Sequence, residues 1–246
     1  MTAESTLVPY PSSRLASRRS GVRATPLRAD VRESVDVSPL PSVQGGFRTV
    51  LADPPWRFVN RTGKVAPEHR RLDRYDTMTH DEICGMRVAE HLADSAHLYL
   101  WVPNALLPEG LRVMESWGFR YVSNVVWAKR RKDGGPDGRG VGFYFRNVTE
   151  LLLFGVRGSM RTLPPARRQV NMIESRKREH SRKPDEQYDL IESCSPGPYL
   201  ELFARHSRNG WYVWGEEAST QSEPRGRTHK GYRGGPILRP RQSGDR

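Results

Sequence analysis

The chain has 246 residues, with 40 Lys+Arg against 28 Asp+Glu and a formal net charge of +12. That length suits one sizeable α/β domain with tails, able to bury a core without metal or disulfide staples. No apolar run approaches the roughly 18 residues that span a bilayer, and none follows the N-terminal arginines as a signal peptide would, so the expectation is a cytoplasmic protein with no membrane partner.

Residues 1–45 are rich in Ser, Pro, Arg and Val without a sustained period, and read as a flexible arm. Regular patterning fills 46–217. Arg48 to Ala52 is a short apolar strand stopped by Asp53-Pro54-Pro55. Thr79 to Glu82 has capping-box spacing and predicts a helix to about Leu92. Leu98 to Val102 is a strand, and Asn104 is placed to cap a helix that ends near Trp117 and Gly118. Strands follow at Tyr121 to Trp127 and Glu150 to Val156. Lys183-Pro184-Asp185-Glu186 then opens a helix to about Ser193. Tyr199 to Phe203 and Trp211 to Trp214 are the last strands, and 218–246 is a basic tail. Strands alternating with helices predict a doubly wound α/β sheet, whose ligands bind beyond the carboxyl ends of the strands.

Asp53-Pro54-Pro55-Trp56 stands at such an end. At average residue frequencies this tetrad arises in roughly one chain in several thousand of this length. Two prolines fix φ and remove two backbone donors. What remains is a rigid turn that presents a carboxylate, a bare carbonyl and an indole. Two acceptors and an aromatic plane match a planar base with an exocyclic NH₂. Asp53 and the Pro54 carbonyl each accept one amine hydrogen, and Trp56 stacks on the ring. Holding both hydrogens aims the nitrogen lone pair at an electrophile, which is catalysis by positioning and electrostatics. In a duplex the base must first be flipped out of the stack. Adenine N6 and cytosine N4 both satisfy this geometry.

The tetrad resembles motif IV of amino-methyltransferases that use S-adenosylmethionine. The wider chain, about Thr49 to Glu216, resembles the adenine-N6 methyltransferase family named for its messenger-RNA-modifying eukaryotic members, with bacterial and phage relatives. Ordered blocks carry the resemblance: Leu51 to Trp56, Tyr75 to Met78, Leu100 to Val102, Trp127 to Lys129, Gly142 to Gly158, Lys183 to Glu186, Glu201 to Arg205, and Trp214-Gly215. It implies a Rossmann-like mixed sheet of the methyltransferase type in permuted motif order, and S-adenosylmethionine as cofactor. It also implies nucleic acid as substrate, DNA ahead of RNA, with a homo- or heterodimer open. By the same resemblance Tyr75 gates the base pocket, Lys183 lines it near the cofactor, and Lys129, Arg146 and Glu150 lie toward the substrate. Glu201, Phe203 and Arg205 fall on the cofactor strand, followed by His206 and Asn209. Glu216 stands where many relatives carry an Asn used toward the cofactor adenine. A glutamate accepts hydrogen bonds but lacks the amide donor, which motivates a rival reading as a non-catalytic nucleic-acid-binding subunit.

The glycines from Gly134 to Gly142 open no helix and precede no Gly-Lys-Ser/Thr, so they predict a loop rather than a phosphate cradle. Basic residues before them and Phe143-Tyr144-Phe145-Arg146 after them either track a phosphate backbone or form a solvated loop. From Lys129 to Lys183 there are fifteen basic residues against five acidic ones, which places most of the surplus charge beside the substrate blocks and expects Arg167, Arg168, Arg176 and Lys177 to bind nucleic acid. The seven histidines and the two cysteines, Cys84 and Cys194, show no ligand spacing, so no metal is expected.

Overall fold

The computed structural model describes residues 39–57, 77–138, 144–177 and 182–215. Residues 1–38 of the expected arm, the whole of the expected tail, Tyr75 and Glu216 lie outside the described residues. Seven strands are present among those described: β1 (Phe47–Ala52), β2 (Leu92–Val102), β3 (Arg120–Arg130), β4 (Thr149–Arg157), β5 (Met172–Arg176), β6 (Tyr199–Leu202) and β7 (Trp211–Trp214). The helices are α1 (His80–Cys84), α2 (Leu107–Ser116) and α3 (Glu186–Cys194).

The strands form one sheet in the order β5-β3-β4-β2-β1-β6-β7. β1 runs parallel to β2 and to β6, β6 to β7, and β3 to β5. Only β4 runs against its neighbours β2 and β3. The carboxyl ends of six strands therefore share one edge, and the amino end of β4, with Thr149 and Glu150, joins them there. This is the doubly wound α/β sheet that the alternation predicted, and the mixed, Rossmann-like sheet that the family resemblance implied.

Side chains alternate across the sheet with a period of two. Val50, Ala52, Leu98, Leu100, Leu200 and Leu202 face a core shared with Ile83 of α1 and Val113 and Met114 of α2. Leu51, Tyr99, Trp101 and Leu152 face the opposite core, against Leu190, Ile191 and Cys194 of α3. Each large apolar side chain taken fully out of water contributes about 1.5–3 kcal/mol, so covering both faces is what holds the central strands. On the first face α2 lies so close to β2 that a Cβ on Gly110 would stand 2.6 Å from Val102 Cγ2. Leu40 and Val43 also pack on this core, so the last residues read as part of the arm belong to the fold.

Three local expectations need correction. The capping box forms as expected, with Glu82 N–H donating to Thr79 Oγ1 at 3.2 Å and Thr79 N–H to Glu82 Oε2 at 2.6 Å. The helix it opens nevertheless ends at Gly85, and after a 3-10 turn Leu92 already enters β2, drawn in by parallel pairing of Leu92 with Phe47. Asn104 does not cap α2; its Nδ2 donates to Thr149 O and Oγ1, both at 3.1 Å, and fixes the start of β4. Gly118 does terminate α2, at φ +81°. Strand β5 was not expected, because Met172–Arg176 lies in a basic stretch and at the sheet edge only Ile173 and Ser175 are buried.

Candidate active site

The Asp53 turn leaves β1 at the shared edge. Its backbone is held on both sides: Asp53 N–H donates to Leu202 O at 3.4 Å, Met78 N–H to Pro55 O at 2.9 Å, and Arg57 N–H to Met78 O at 3.2 Å. Trp56 N–H donates to Pro54 O at 2.8 Å, so that carbonyl is not bare; one lone pair is used to tighten the turn and one remains. The Trp56 indole is only 7 % exposed, packs in the first core, and donates from Nε1 to Trp101 O at 2.9 Å. Its placement corrects the stacking role: the burial and hydrogen bond make Trp56 an anchor of the turn, with no open face for a base.

The Asp53 carboxylate is 30 % exposed and meets Lys183, whose Nζ donates to Oδ1 at 2.8 Å and to Oδ2 at 3.0 Å. The same ammonium stands 3.5 Å from Glu150 Oε2, and Lys129 Nζ donates to Glu150 Oε1 at 2.5 Å. Four charges of alternating sign thus link β1, the segment before α3, β4 and β3. Two indoles lie beneath them, with Lys183 5.5 Å from the Trp101 ring and Lys129 4.8 Å from the Trp127 ring. The Trp101 Nε1 donates to Gln187 Oε1 at 2.6 Å and the Trp127 Nε1 to Ser175 Oγ at 2.9 Å, which fixes both rings.

The protonation states follow from this order. Burial works against the Lys183 charge, but Asp53 and Glu150 outweigh it and hold the ammonium above the usual lysine range. Burial pushes Glu150 up, yet Lys183 and Lys129 together bring it below the usual carboxylate range. Lys129 has Glu150 as its hydrogen-bonded anion and two other lysines nearby; burial dominates and lowers it.

Beside Asp53 opens a cleft of about 310 Å³. Leu51 and Trp101 line it from the sheet, Lys183 and Tyr188 from the α3 side, and Glu201, Phe203, Arg205, His206 and Arg208 from β6 and the following loop. Tyr188 Oη lies 3.0 Å from both Glu201 carboxylate oxygens. Burial, with Asp53 adding to it, pushes the Glu201 carboxyl up to about 7, although Tyr188 and Arg208 oppose the shift. Phe203 takes φ +63°, a conformation costing a non-glycine residue about 1 kcal/mol or more, as the chain turns from β6 around the cleft. Its ring packs edge-on against Trp214, with centroids 5.5 Å apart.

The structure therefore brings together Asp53, Lys183, Glu201, Phe203, Arg205 and His206, with Glu150 and Lys129 joined through Lys183. The Pro54 and Pro55 rings shape the turn without lining the cleft. Arg146 and Asn209 are exposed and do not line it. Sequence reasoning missed Tyr188 and Arg208. Tyr188 stands one turn past the helix-opening Lys183-Pro184 block, a spacing that could have flagged it. Arg208, whose guanidinium sits 4.3 Å from the Tyr188 ring and pairs with Glu192 at 3.0 Å, gave no local signal.

Comparison with known proteins bears on this arrangement. The MT-A70 family model matches residues 47–217, from the first residue of β1 to just past β7. The chain belongs to the MT-A70 family. Among its MT-A70 relatives, a Medicago truncatula protein named a putative N(6)-adenosine-methyltransferase MT-A70-like is 33 % identical over 72 % of this chain and 27 % of its own length. The human N(6)-adenosine-methyltransferase catalytic subunit METTL3 is 30 % identical over 72 % of this chain and 29 % of its own. The type II methyltransferase M.MunI of Mycoplasma sp is 27 % identical, with 76 % of this chain and 86 % of that protein covered. The chain thus spans under a third of those plant and human relatives and most of M.MunI.

Proposed function

We propose that this MT-A70 protein transfers the methyl group of S-adenosylmethionine to the exocyclic N6 of adenine in a polynucleotide, with DNA as the preferred substrate. The observation that carries the reading is the half-buried Asp53 carboxylate, held on a rigid turn at the lip of a cleft. Names of relatives support adenine N6 as the acceptor. The preference for DNA is supported by the near-complete coverage of a type II methyltransferase of similar length.

The residues present fit the cofactor. Among the described residues, His206 on the cleft wall keeps a buried Nδ1 without a hydrogen-bond partner, and Glu201 offers a carboxylate in a largely apolar surround. Glu201, Arg205 and His206 would hold the ribose and its neighbours, with Phe203 against the flat ring. When bound, the cofactor supplies a methyl group on positively charged sulfur.

The chain's own groups then act on the amine. One Asp53 oxygen accepts an N6 hydrogen and the remaining lone pair of Pro54 O accepts the other. Lys183 spans both Asp53 oxygens, so one of its bonds yields as the amine arrives. Glu150 lies close enough to keep the ammonium paired while this happens. Methyl transfer would leave N6 cationic, and Asp53, already hydrogen-bonded to it, would take the released proton. No strong base is needed before attack, because the electrophile is cationic and the nucleophile neutral.

The test is a transfer assay with labelled cofactor on single-stranded DNA, duplex DNA and RNA, with digestion to nucleosides. N6-methyladenine from DNA is expected. N4-methylcytosine would move the target to the other amine, and product from RNA alone would move the substrate class. No labelled product from any adenine-containing polynucleotide would overturn the reading.

A further inference from the structure

Tyr144 and Phe145 are adjacent and 95 % and 84 % exposed, so the fold takes no stabilisation from either ring. Nearly every other described aromatic is buried or half-buried. The two rings precede β4 and hence stand on the approach to the shared carboxyl edge. Glu150, five residues after Phe145, lies 3.5 Å from Lys183, which bonds Asp53. Five residues reach at most roughly 18 Å and six about 22 Å, so both rings lie within a few nucleotide steps of the amine-binding carboxylate. Arg146 beside them and Lys132, beyond the end of β3, are exposed cations at the same edge. Bare aromatic rings among exposed cations match a stacking platform for an anionic strand.

We propose that Tyr144 and Phe145 form a base-stacking site for the nucleic-acid strand that carries the target, gripping unstacked bases beside the flipped adenine. The inference rests on the polynucleotide reading above and deepens it. Stacking contacts the faces of bases and carries no charge. Removing it should therefore weaken binding without altering the response to salt, and should not affect a strand that lacks bases.

The experiment measures fluorescence anisotropy of a labelled 15-nucleotide single strand and of an abasic strand of equal length, each titrated with the full chain at several salt concentrations. The double substitution Tyr144→Ala/Phe145→Ala is expected to weaken binding to the base-containing strand about tenfold or more. Its salt slope should stay unchanged, and so should its affinity for the abasic strand. Tyr144→Phe/Phe145→Tyr should bind like the parent. Affinity unchanged within twofold, equal losses on both strands, a reduced salt slope, or no binding of the parent chain to the base-containing strand would each overturn the proposal. A change in sedimentation from dimer to monomer on the double substitution would assign the rings to a self-interface and overturn it as well. None of these measurements requires methyl transfer, so failure here is separate from failure of the catalytic reading.

Discussion

At the scale of single residues, the proposed chemistry turns on Asp53. Both of its oxygens are held by one ammonium, which orients the carboxylate before any amine arrives. Removing a preorganised acceptor of this kind typically costs 10²–10³ in rate. Asp53→Ala is expected to lower kcat by at least that factor while leaving the Kd for nucleic acid within about threefold, measured by single-turnover transfer and anisotropy; comparable turnover would remove Asp53 from the mechanism. Glu201 supplies a pH signature. Its carboxyl is pushed up to about 7 by burial, so it is protonated below that pH and a better acceptor above it. Cofactor affinity measured by calorimetry should therefore rise with pH through about 7, and Glu201→Gln should flatten the profile. The same shift has a stability sign: a carboxyl whose folded pKa lies above its unfolded value binds more protons in the folded state. Its favourable contribution is present at low pH and is lost as pH climbs from the ordinary carboxylate range to about 7. Asp53 was legible from its place in a proline turn at a strand end, and Lys183 and Glu201 from the blocks that carry the family resemblance. The orientation of Trp56 was not, since only the carbonyl of Trp101, 45 residues away in sequence, decides which way the indole points.

At the scale of elements, short-range chemistry predicted starts better than ends. Thr79 and Glu82 are reciprocal caps, a four-residue signal that needs no tertiary information. Where α1 stops depends on Phe47 drawing Leu92 into a parallel pair, a contact across 45 residues. Likewise β5 exists because β3 offers its edge from Val126 to Arg130, not because Met172–Arg176 is strongly apolar. The cap should behave as a local term. Thr79→Ala is expected to lower stability by about 1 kcal/mol, read as a lower urea midpoint at unchanged m-value. Turnover under folding conditions should be unchanged, because α1 packs against Trp117 rather than the cleft; Trp117 Nε1 donates to Ile83 O at 3.0 Å. A stability loss above about 3 kcal/mol would show that α1 carries more of the core than its single fully buried side chain, Ile83, suggests.

At the scale of the whole molecule, the sheet separates two charge environments. The sequence showed fifteen basic residues between Lys129 and Lys183 as one block, but topology splits it. β4 leaves the active edge and ends at Arg157, and β5 starts back from the opposite edge at Met172, so the turn carrying Arg167 and Arg168 belongs to the far edge. Its backbone ties there: Leu163 N–H donates at 2.9 Å to the carbonyl of Cys194, the last residue of α3 before the chain returns to β6. Arg130 and Lys177, at the active edge, are matched by Glu174 and by the buried Asp137. Lys132 and Arg146 are exposed at that edge, and Arg176 ends β5 there, paired in register with Arg130. A polyanion lying across the β3–β5 half would leave the β6–β7 half, with Glu201 and Arg205, to the cofactor. Each phosphate contact on a single strand contributes about 0.7 to the slope of log K against log salt. Lys132→Ala/Arg146→Ala/Arg176→Ala should therefore reduce that slope by about 2, whereas Arg167→Ala/Arg168→Ala, an equal kind of charge loss on the far edge, should leave it unchanged. If the second variant rather than the first flattens the salt response, the strand crosses the amino edge of the sheet, away from Asp53, and the placement of substrate on this fold is wrong.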